Sequence, residues 1–405
     1  MWLTTVKMAW RNLGRNRRRT LITAGAIGFG LAGMLIAHGF NLGLNRHIVV
    51  TATRAGLGHA QIHADGYRET RDANRVVDDA PVLLKRLMTR KDVAAAPRAY
   101  AVGLAAIGDR ASQIEIVGVD PVLEKGVTNW HERLVSGAYP KGPREIAVGQ
   151  DLADRLEIEP GSRLVLTVTD ARTGDMASML ARVSGVLLTS NPMIDSQGGV
   201  MPLKTLQSLL GLPNGVHEIV IRFDLRDPSR EKIEPLLADL RRPGLEVLGW
   251  YDIFPVLEVM KKFEASYMSV LSGILFVVAG LGVVNTMNMS LLERLKEFGI
   301  MRAIGTSPRR LAVLITAETA TLGAVGALMG VALWLALHAL LASVGVSFGE
   351  ANMMGVGFRT PIYPVIDPAG SVLFTLSFVF LAPLAGLVSA VRAARIEPVR
   401  ALREE

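Results

Sequence analysis

Glu293-Arg294-Leu295-Lys296-Glu297-Phe298-Gly299-Ile300-Met301-Arg302-Ala303-Ile304-Gly305-Thr306 lies between two long apolar runs, Tyr267–Ser290 before it and Leu311–Leu341 after it. A solvated loop carrying orienting charge accounts for Arg294, Lys296 and Arg302. It does not account for Leu295, Phe298, Ile300, Met301 and Ile304, an apolar set with no use in so short a connection. The segment therefore reads as a short helix between two membrane spans on which a partner docks.

Two further runs, Leu21–Phe40 and Ser371–Val391, also reach the roughly 20 apolar residues that cross a hydrocarbon core. None of the four contains Lys or Arg. Half of the 405 residues are hydrophobic while 20% are charged, and mean hydropathy is +0.33. That combination implies spans plus at least one soluble domain. The first run has a basic flank, Arg15 to Arg19, and Ala37-His38-Gly39 loosely resembles a cleavage site. Its length and the three later spans favour an uncleaved anchor.

Charge orients the chain. Residues 1–20, 293–310 and 392–405 together hold fifteen bases and five acids, a balance of +10, which leaves −3 for the rest of a chain totalling +7. The positive-inside rule then expects both termini and the 293–310 loop in the cytoplasm, with 41–266 and 342–370 facing outward. The basic excess is thereby explained without nucleic acid as a partner. With no cysteine in the chain, a disulfide framework, a thiolate metal site and a cysteine nucleophile are excluded.

Residues 1–20 read as a cytoplasmic amphipathic helix, with Trp2, Val6, Trp10 and Leu13 on one face and bases opposite. From 41 to 266 the pattern changes to short alternating runs: His59–Ala64, Gln113–Val117, Arg163–Val168 and Glu218–Phe223. Helical stretches intervene at Pro81–Thr89, Gln150–Leu156, Lys204–Leu210 and Arg230–Leu240. Strand, helix, strand can be read around 59–105 and again around 216–250. An extracytoplasmic α+β domain split by an inserted β-rich subdomain at about 106–215 follows. The expected order is 21–40 transmembrane helix 1, 41–266 outward domain, 267–290 helix 2, 291–310 coupling segment, 311–341 helix 3, 342–370 outward loop, 371–391 helix 4 and 392–405 cytoplasmic tail.

Several motifs carry no chemistry where they stand. Gly28-Phe29-Gly30-Leu31-Ala32-Gly33 is a literal G-x-G-x-x-G, but inside a span its small residues serve helix approach rather than a pyrophosphate. His59 and His63 lie about 13 Å apart on a strand rising roughly 3.3 Å per residue, too far to share one ion, and are expected on an exposed strand face. No metal site is assigned. No Walker A, G-x-S-x-G or H-E-x-x-H pattern occurs, so no catalytic residue is assigned and no cofactor is expected in this chain. Glu318 sits about two turns into the third span, near a helix N-terminus that favours a carboxylate. Gly326 and Gly330, with Gly323 a turn earlier, suit close approach of another helix, such as one from a second copy. The spans offer chiefly His38, Glu318 and His338 as ionisable groups, which gives no continuous polar route. An apolar groove between the first two spans, from Gly30, Gly33, Leu35, Ile36, Val270, Ile274 and Val277, is the alternative for a cargo.

As a pattern, E-R-x-K-E-[IF]-G-x-x-R-A-[IL]-G resembles the coupling segment of ABC permeases of the MacB, FtsX and LolC/LolE type. The opening Ala9-Trp10-Arg11-Asn12-Leu13 with Arg17-Arg18-Arg19-Thr20 is similar to theirs. So are Gly118-Val119-Asp120-Pro121, Arg144–Ala153 and the close Ala393–Arg403. Gly58–His63 followed by Gly66-Tyr67 resembles the lipoprotein-releasing LolC/LolE branch in particular. The resemblance implies that Glu293, Arg294, Glu297, Phe298, Gly299, Arg302, Ala303 and Gly305 contact a cytoplasmic ABC ATPase dimer, which binds ATP and Mg. It implies a second permease copy or sister permease, membrane lipids, and a lipoprotein or amphiphilic cargo, with Ile36, Val270, Ile274 and Val277 as groove. It implies a bacterial inner-membrane location and an outward Porter-like subdomain with an inserted Sabre-like one. The hairpin near Thr169–Asp175 is short and lacks proline, unlike the hook with which LolC captures a carrier. MacB-like efflux and FtsX-like control of a cell-wall hydrolase are the alternatives; a receptor without an ATPase leaves 293–310 unexplained.

Overall fold

The computed structural model describes residues 2–189, 191–225, 228–347, 351–353, 356–358 and 361–395. Residues 396–403 of the closing motif lie outside the described residues. The chain divides into a helical unit, 1–45, 261–347 and 361–405, and an α+β unit, 46–260 and 348–360. Helix α1 (Trp2–Arg15) precedes α2 (Arg17–Ala52), and a π-turn, Thr53–Leu57, ends α2. Trp10 on α1 is exposed; the side chains of Trp2, Val6 and Leu13 lie outside the described set.

In the α+β unit the first elements are β1 (Ala60–Ala64), α3 (Tyr67–Thr70), α4 (Ala80–Met88), β2 (Val93–Ile107) and β3 (Arg110–Val119). Next come α5 (Glu124–Val127), β4 (Leu134–Gly137), β5 (Glu145–Gly149), α6 (Gln150–Leu156), β6 (Arg163–Thr169) and β7 (Met176–Leu187). The unit continues with α7 (Pro192–Gln197), β8 (Gly198–Pro202), α8 (Leu203–Leu209), β9 (Glu218–Phe223), α9 (Arg230–Ala238), β10 (Leu245–Gly249) and α10 (Trp250–Ile253). Strands β10, β1, β9 and the first half of β2 form an antiparallel sheet, with Ile62 opposite Val247 on one side and Ile219 on the other. Helices α4 and α9 bury Leu83, Leu87, Ile233 and Leu237.

The second half of β2 enters a closed ring, β2-β3-β8-β5-β7-β6 and back to β2. The unit is thus a mixed α+β domain with a small β-barrel. Alternation decides the barrel core: Leu164, Leu166 and Val168 of β6 point in to meet Ile114, Ile116, Ile146, Val148 and Val183. Val165 between them is exposed. The β6–β7 turn is tight, since Asp170 accepts the backbone N–H groups of Arg172 and Thr173 at 2.8 and 3.0 Å and Gly174 takes φ +77°.

His59 and His63 are buried rather than exposed. β1 pairs on both sides and both of its faces are covered, so polar alternation there does not mark a wet face. His63 stacks on Tyr67, which stacks on His217. His59 Nδ1 accepts the Phe223 N–H at 3.1 Å, which requires the neutral ring, and burial holds its pKa down to about 4. A base depressed from 6.5 contributes stability that is complete above pH 6.5 and lost as pH falls toward 4. At pH 5 this one residue is expected to cost about 2 kcal/mol. His59→Asn keeps an acceptor that does not titrate, so its thermal midpoint should fall less than wild type between pH 7 and pH 5. Equal falls would contradict the assignment.

In the helical unit, α11 (Val256–Glu293) is followed by α12 (Leu295–Ala303) and α13 (Pro308–Val344). A two-stranded ladder of β11 (Ala351–Met353) and β12 (Val356–Phe358), assigned to the α+β unit, precedes α14 (Pro368–Ala394). Among the described residues, four helices are long and apolar enough to cross a membrane: Arg17–Leu57, Lys262–Glu293, Pro308–Val344 and Pro368–Ala394. The protein is a multi-pass membrane protein. Ile27, Leu31 and Leu35 of α2 pack with Val283 and Met287 of α11, Leu322 of α13 and Phe378 of α14. Thr23 and Thr286 share a hydrogen bond of 2.7 Å.

The glycines of the spans meet within the chain. A Cβ on Gly28 would lie 2.8 Å from Gly326 O, and one on Gly330 would lie 2.7 Å from Gly28 O. The Gly326/Gly330 face expected to suit a second copy is therefore occupied by α2 of the same chain. Backbones can approach this closely only where neither carries a side chain.

Candidate coupling site

Helix α12 is short because both of its ends are fixed. At its start Arg294 acts as a hub: Nε donates to Glu297 at 3.1 Å, Nη1 donates to both oxygens of Glu318 at 3.0 and 3.1 Å, and the guanidinium lies 4.8 Å over the Phe298 ring. Glu318 also accepts from Asn12 of α1. The acid inside the third span thus has a cation and an amide as partners, which makes its burial tolerable. At the C-terminal end, Gly305 takes φ +94° and Thr306 N–H donates to Met301 O at 2.9 Å. Ser307 then caps α13 by accepting from the Arg310 N–H at 3.4 Å.

The N-terminal segment braces the same helix. Arg15 donates to Glu297 at 2.5 Å and Arg19 to Glu293 at 2.9 Å, with Asn16 3.3 Å from Glu293. Hydrogen bonding from Arg15 holds the Glu297 carboxyl below the usual range. Exposed pairs of this kind contribute little singly, but three arginines and two asparagines on three carboxylates fix one orientation. Phe298 is buried among Leu311, Ile315, Ala390 and Ala393. Gly299 is buried beside it, and Arg302 turns back to donate to Thr306 O at 3.2 Å.

Of the eight residues singled out on this segment, Glu293, Arg294, Glu297, Phe298, Gly299 and Arg302 thus have partners within the unit. Ala303 and Gly305 are exposed, together with Lys296, Ile300 and Ile304. Ile300 is 52% and Ile304 78% exposed. Spacings of four and then three or four put Lys296, Ile300, Ala303 and Ile304 on one stripe. Arg309 and Arg310, at the start of α13, are exposed as well.

Val270, Ile274 and Val277 form an exposed stripe on α11, while Ile36 is half-buried and Leu35 is fully buried against the other spans. Among the described residues no group of three His, Asp or Glu is placed to hold a metal ion.

Sequence reasoning missed a buried charge network in the α+β unit. Arg98 of β2 donates to Glu124 at 2.6 and 3.2 Å and to Glu218 at 2.9 Å, and all three are buried. It borders a cavity of about 390 Å³ lined by Leu57, Tyr67, Arg71, Tyr100, Glu115 and Phe254 among others. The available signal was a lone arginine in Ala94-Ala95-Ala96-Pro97-Arg98-Ala99.

Residues 20–238 match the MacB-like periplasmic core domain, and residues 269–398 match the FtsX-like permease C-terminal region. The chain belongs to the MacB/FtsX-like ABC-transporter permease family. The matched regions of this permease are a periplasmic core domain and a permease C-terminal region, and its sequence contains no Walker A pattern. The lipoprotein-releasing system transmembrane protein LolC of Neisseria meningitidis is 24% identical over 95% of this permease and 94% of its own length. The macrolide export ATP-binding/permease protein MacB of Nitrobacter winogradskyi is 30% identical over 50% of this permease. That match spans only 30% of the MacB protein. The solved periplasmic region of MacB from Actinobacillus actinomycetemcomitans aligns with 49% of this permease and 92% of its own chain at 15% identity, with a TM-score of 0.34. Identity is spread over both branches and selects neither.

Proposed function

We propose that this permease couples ATP hydrolysis by a separate cytoplasmic ATPase dimer to movement of its α+β domain, and that it extracts or releases lipoproteins from a bacterial inner membrane. The observation that carries the reading is the stripe Lys296–Ile300–Ala303–Ile304, braced from behind by Arg15, Arg19 and Arg294. Two isoleucines turned to water on a helix this firmly held are a docking face. Glu293, Arg294, Glu297, Phe298, Gly299 and Arg302 then shape and orient that face, while Ala303 and Gly305 form part of it. Both termini and α12 lie in the cytoplasm, as the charge balance supports, and the α+β domain lies outside. The first sheet with its helices is the Porter-like part, and the barrel the Sabre-like part.

The lipoprotein-releasing reading is favoured by a co-linear match to LolC along nearly the whole of both chains. The alternative, MacB-like efflux with an adaptor and an outer-membrane channel, is favoured by the higher identity over half the chain.

Ile300→Asp with Ile304→Asp places two carboxylates on the docking face and touches none of the ion pairs behind it. Copurification of the ATPase, and transport per ATP hydrolysed, should fall about tenfold or more, the factor that 1.4 kcal/mol of lost binding produces. Undiminished copurification would remove α12 from the interface. Photo-crosslinkers at Ile36 and Ile274 test the cargo. With the permease working as a homodimer or beside a sister permease, they should capture acylated protein or lipid, and ATP should reduce the capture. Transport of a small soluble compound across the bilayer, with no acylated capture, would favour efflux.

A further inference from the structure

The cavity of about 390 Å³ lies wholly within the α+β unit and is of a size that takes a small molecule or a head group. One face of the sheet lines it. The register of β1, β9 and β2 sets His63 opposite Glu218 and Glu218 opposite Arg98. Two residues on from Arg98, Tyr100 faces Val117, and Val102 beyond it faces Glu115. Period-two alternation thus brings Arg98, Tyr100, Glu115 and Glu218 to the same side. Helix α3 contributes Tyr67 and Arg68, with Arg71 just after it, and α7 contributes Met193. The end of α10 adds Ile253 and Phe254. Arg71 and Met193 are exposed, so the cavity opens to solvent.

Charge of both signs is left without a partner there. Glu218 gives Oε1 to Arg98 at 2.9 Å, while its Oε2 lies 3.8 Å from His63 Nε2 and accepts no hydrogen bond among the described residues. The half-buried Glu115 side chain accepts none among them either. Burial pushes the Glu115 carboxyl up; Arg71 opposes this and Glu218 adds to it. Arg68 and Arg71 form no ion pair among the described residues. Arg71 also holds φ +52°, a left-handed conformation that an arginine rarely adopts. Arg98 does not meet the need of Glu115, since Glu124 holds it at 2.6 and 3.2 Å.

An ammonium between Glu115 and Glu218 would find two charged acceptors. An anion with several oxygens suits Arg68 and Arg71, which are three residues apart. A ligand with only one of these charges leaves the other set unmet, and buried polar groups are costly to leave so.

We propose that this cavity binds a zwitterionic group of the phosphoethanolamine kind, with its ammonium between Glu115 and Glu218 and its phosphate on Arg68 and Arg71. Leu57, Met193, Ile253 and Phe254 receive the carbon attached to that head. The site is independent of the docking face on α12, so its failure would leave the permease reading standing.

Titration calorimetry on the full chain in phosphatidylcholine nanodiscs tests the site, with sn-glycero-3-phosphoethanolamine as the probe. Its binding should be saturable and at least about tenfold tighter than that of glycerol 3-phosphate or ethanolamine alone. Glu115→Gln and Arg71→Gln should each weaken it by about tenfold or more with the thermal midpoint unchanged, while Arg86→Gln on α4 should not alter it. Dihexanoyl phosphatidylethanolamine separates the sources of the group. Tighter binding than the glycerol ester supports the site as one for a lipid head, and equal binding supports it as one for the soluble ester. No saturable binding of the glycerol ester overturns the proposal. So does equal affinity for glycerol 3-phosphate, which would leave the carboxylates without a part, or unchanged affinity in both folded variants.

Discussion

Arg98→Met should be the most damaging single substitution in the α+β unit. It leaves Glu124 and Glu218 buried with no cation between them, a change that typically costs about 3–5 kcal/mol. It also removes the donor to Gly56 O. A domain stable by roughly 5–15 kcal/mol would lose a large share of its margin, and the variant should be cleaved rapidly in limited proteolysis at 37 °C. The cost lies in stranded charge, not in lost attraction alone. Arg98→Met with Glu124→Leu and Glu218→Met should therefore recover much of the loss, because burying apolar groups of similar volume avoids desolvating ions. A triple variant no more stable than Arg98→Met would mean that packing around the guanidinium, rather than charge, holds this site. The triple variant restores the core without restoring the bond to Gly56 O of the 53–57 turn.

The second large effect concerns the crossing of α2 and α13. Gly330→Val puts a branched side chain where a Cβ already lies 2.7 Å from Gly28 O, 3.0 Å from Leu31 Cβ and 3.1 Å from Gly28 Cα. Two of these are backbone atoms of a helix, which cannot turn aside as a side-chain end can. The helices must separate, at a cost of about 1–3 kcal/mol or more, and the contacts of Ile27 and Leu31 go with it. Gly33→Ala on the same span is the control, for no atom lies within 4 Å of its Cβ position. Thermal unfolding in detergent should show a clear loss for Gly330→Val and none for Gly33→Ala. Similar losses in both would show that helix flexibility, not proximity, governs these glycines.

How far the sequence led depended on the range of the interaction. The four spans were legible because a hydrocarbon core demands a continuous apolar run, a local property. Four strands and four helices between His59 and Leu240 followed from periodicity, equally local, whereas β4, β5, β7 and β8 were not read from it. The short helix between the second and third spans was legible as a pattern but not by face: Phe298 and Ile304 are equally apolar, and only the positions of Leu311 and Ala390 show that one is covered and the other is not. Arg98 was invisible as a site because its carboxylates lie 26 and 120 residues away along the chain. His59 and His63 misled for a related reason. Alternation reports a wet face only when one side of a strand is bare, and β1 has neither side bare. The Gly326/Gly330 pair announced a close helix neighbour without saying whose helix it was.

The barrel closes on itself, so each of its six ring strands already has a neighbour on either side. A strand with two neighbours cannot be extended by a strand from another protein. Whatever this barrel meets must be recognised by its turns and by the outward faces of its strands. The turn at Asp170–Asp175 projects between β6 and β7, whose inward residues Leu164, Leu166 and Val168 set the register independently of it. Residues can be inserted there without moving the core, since lengthening a loop adds only about 0.6 kcal/mol per doubling. The length of that single turn can therefore change while the barrel stays as it is.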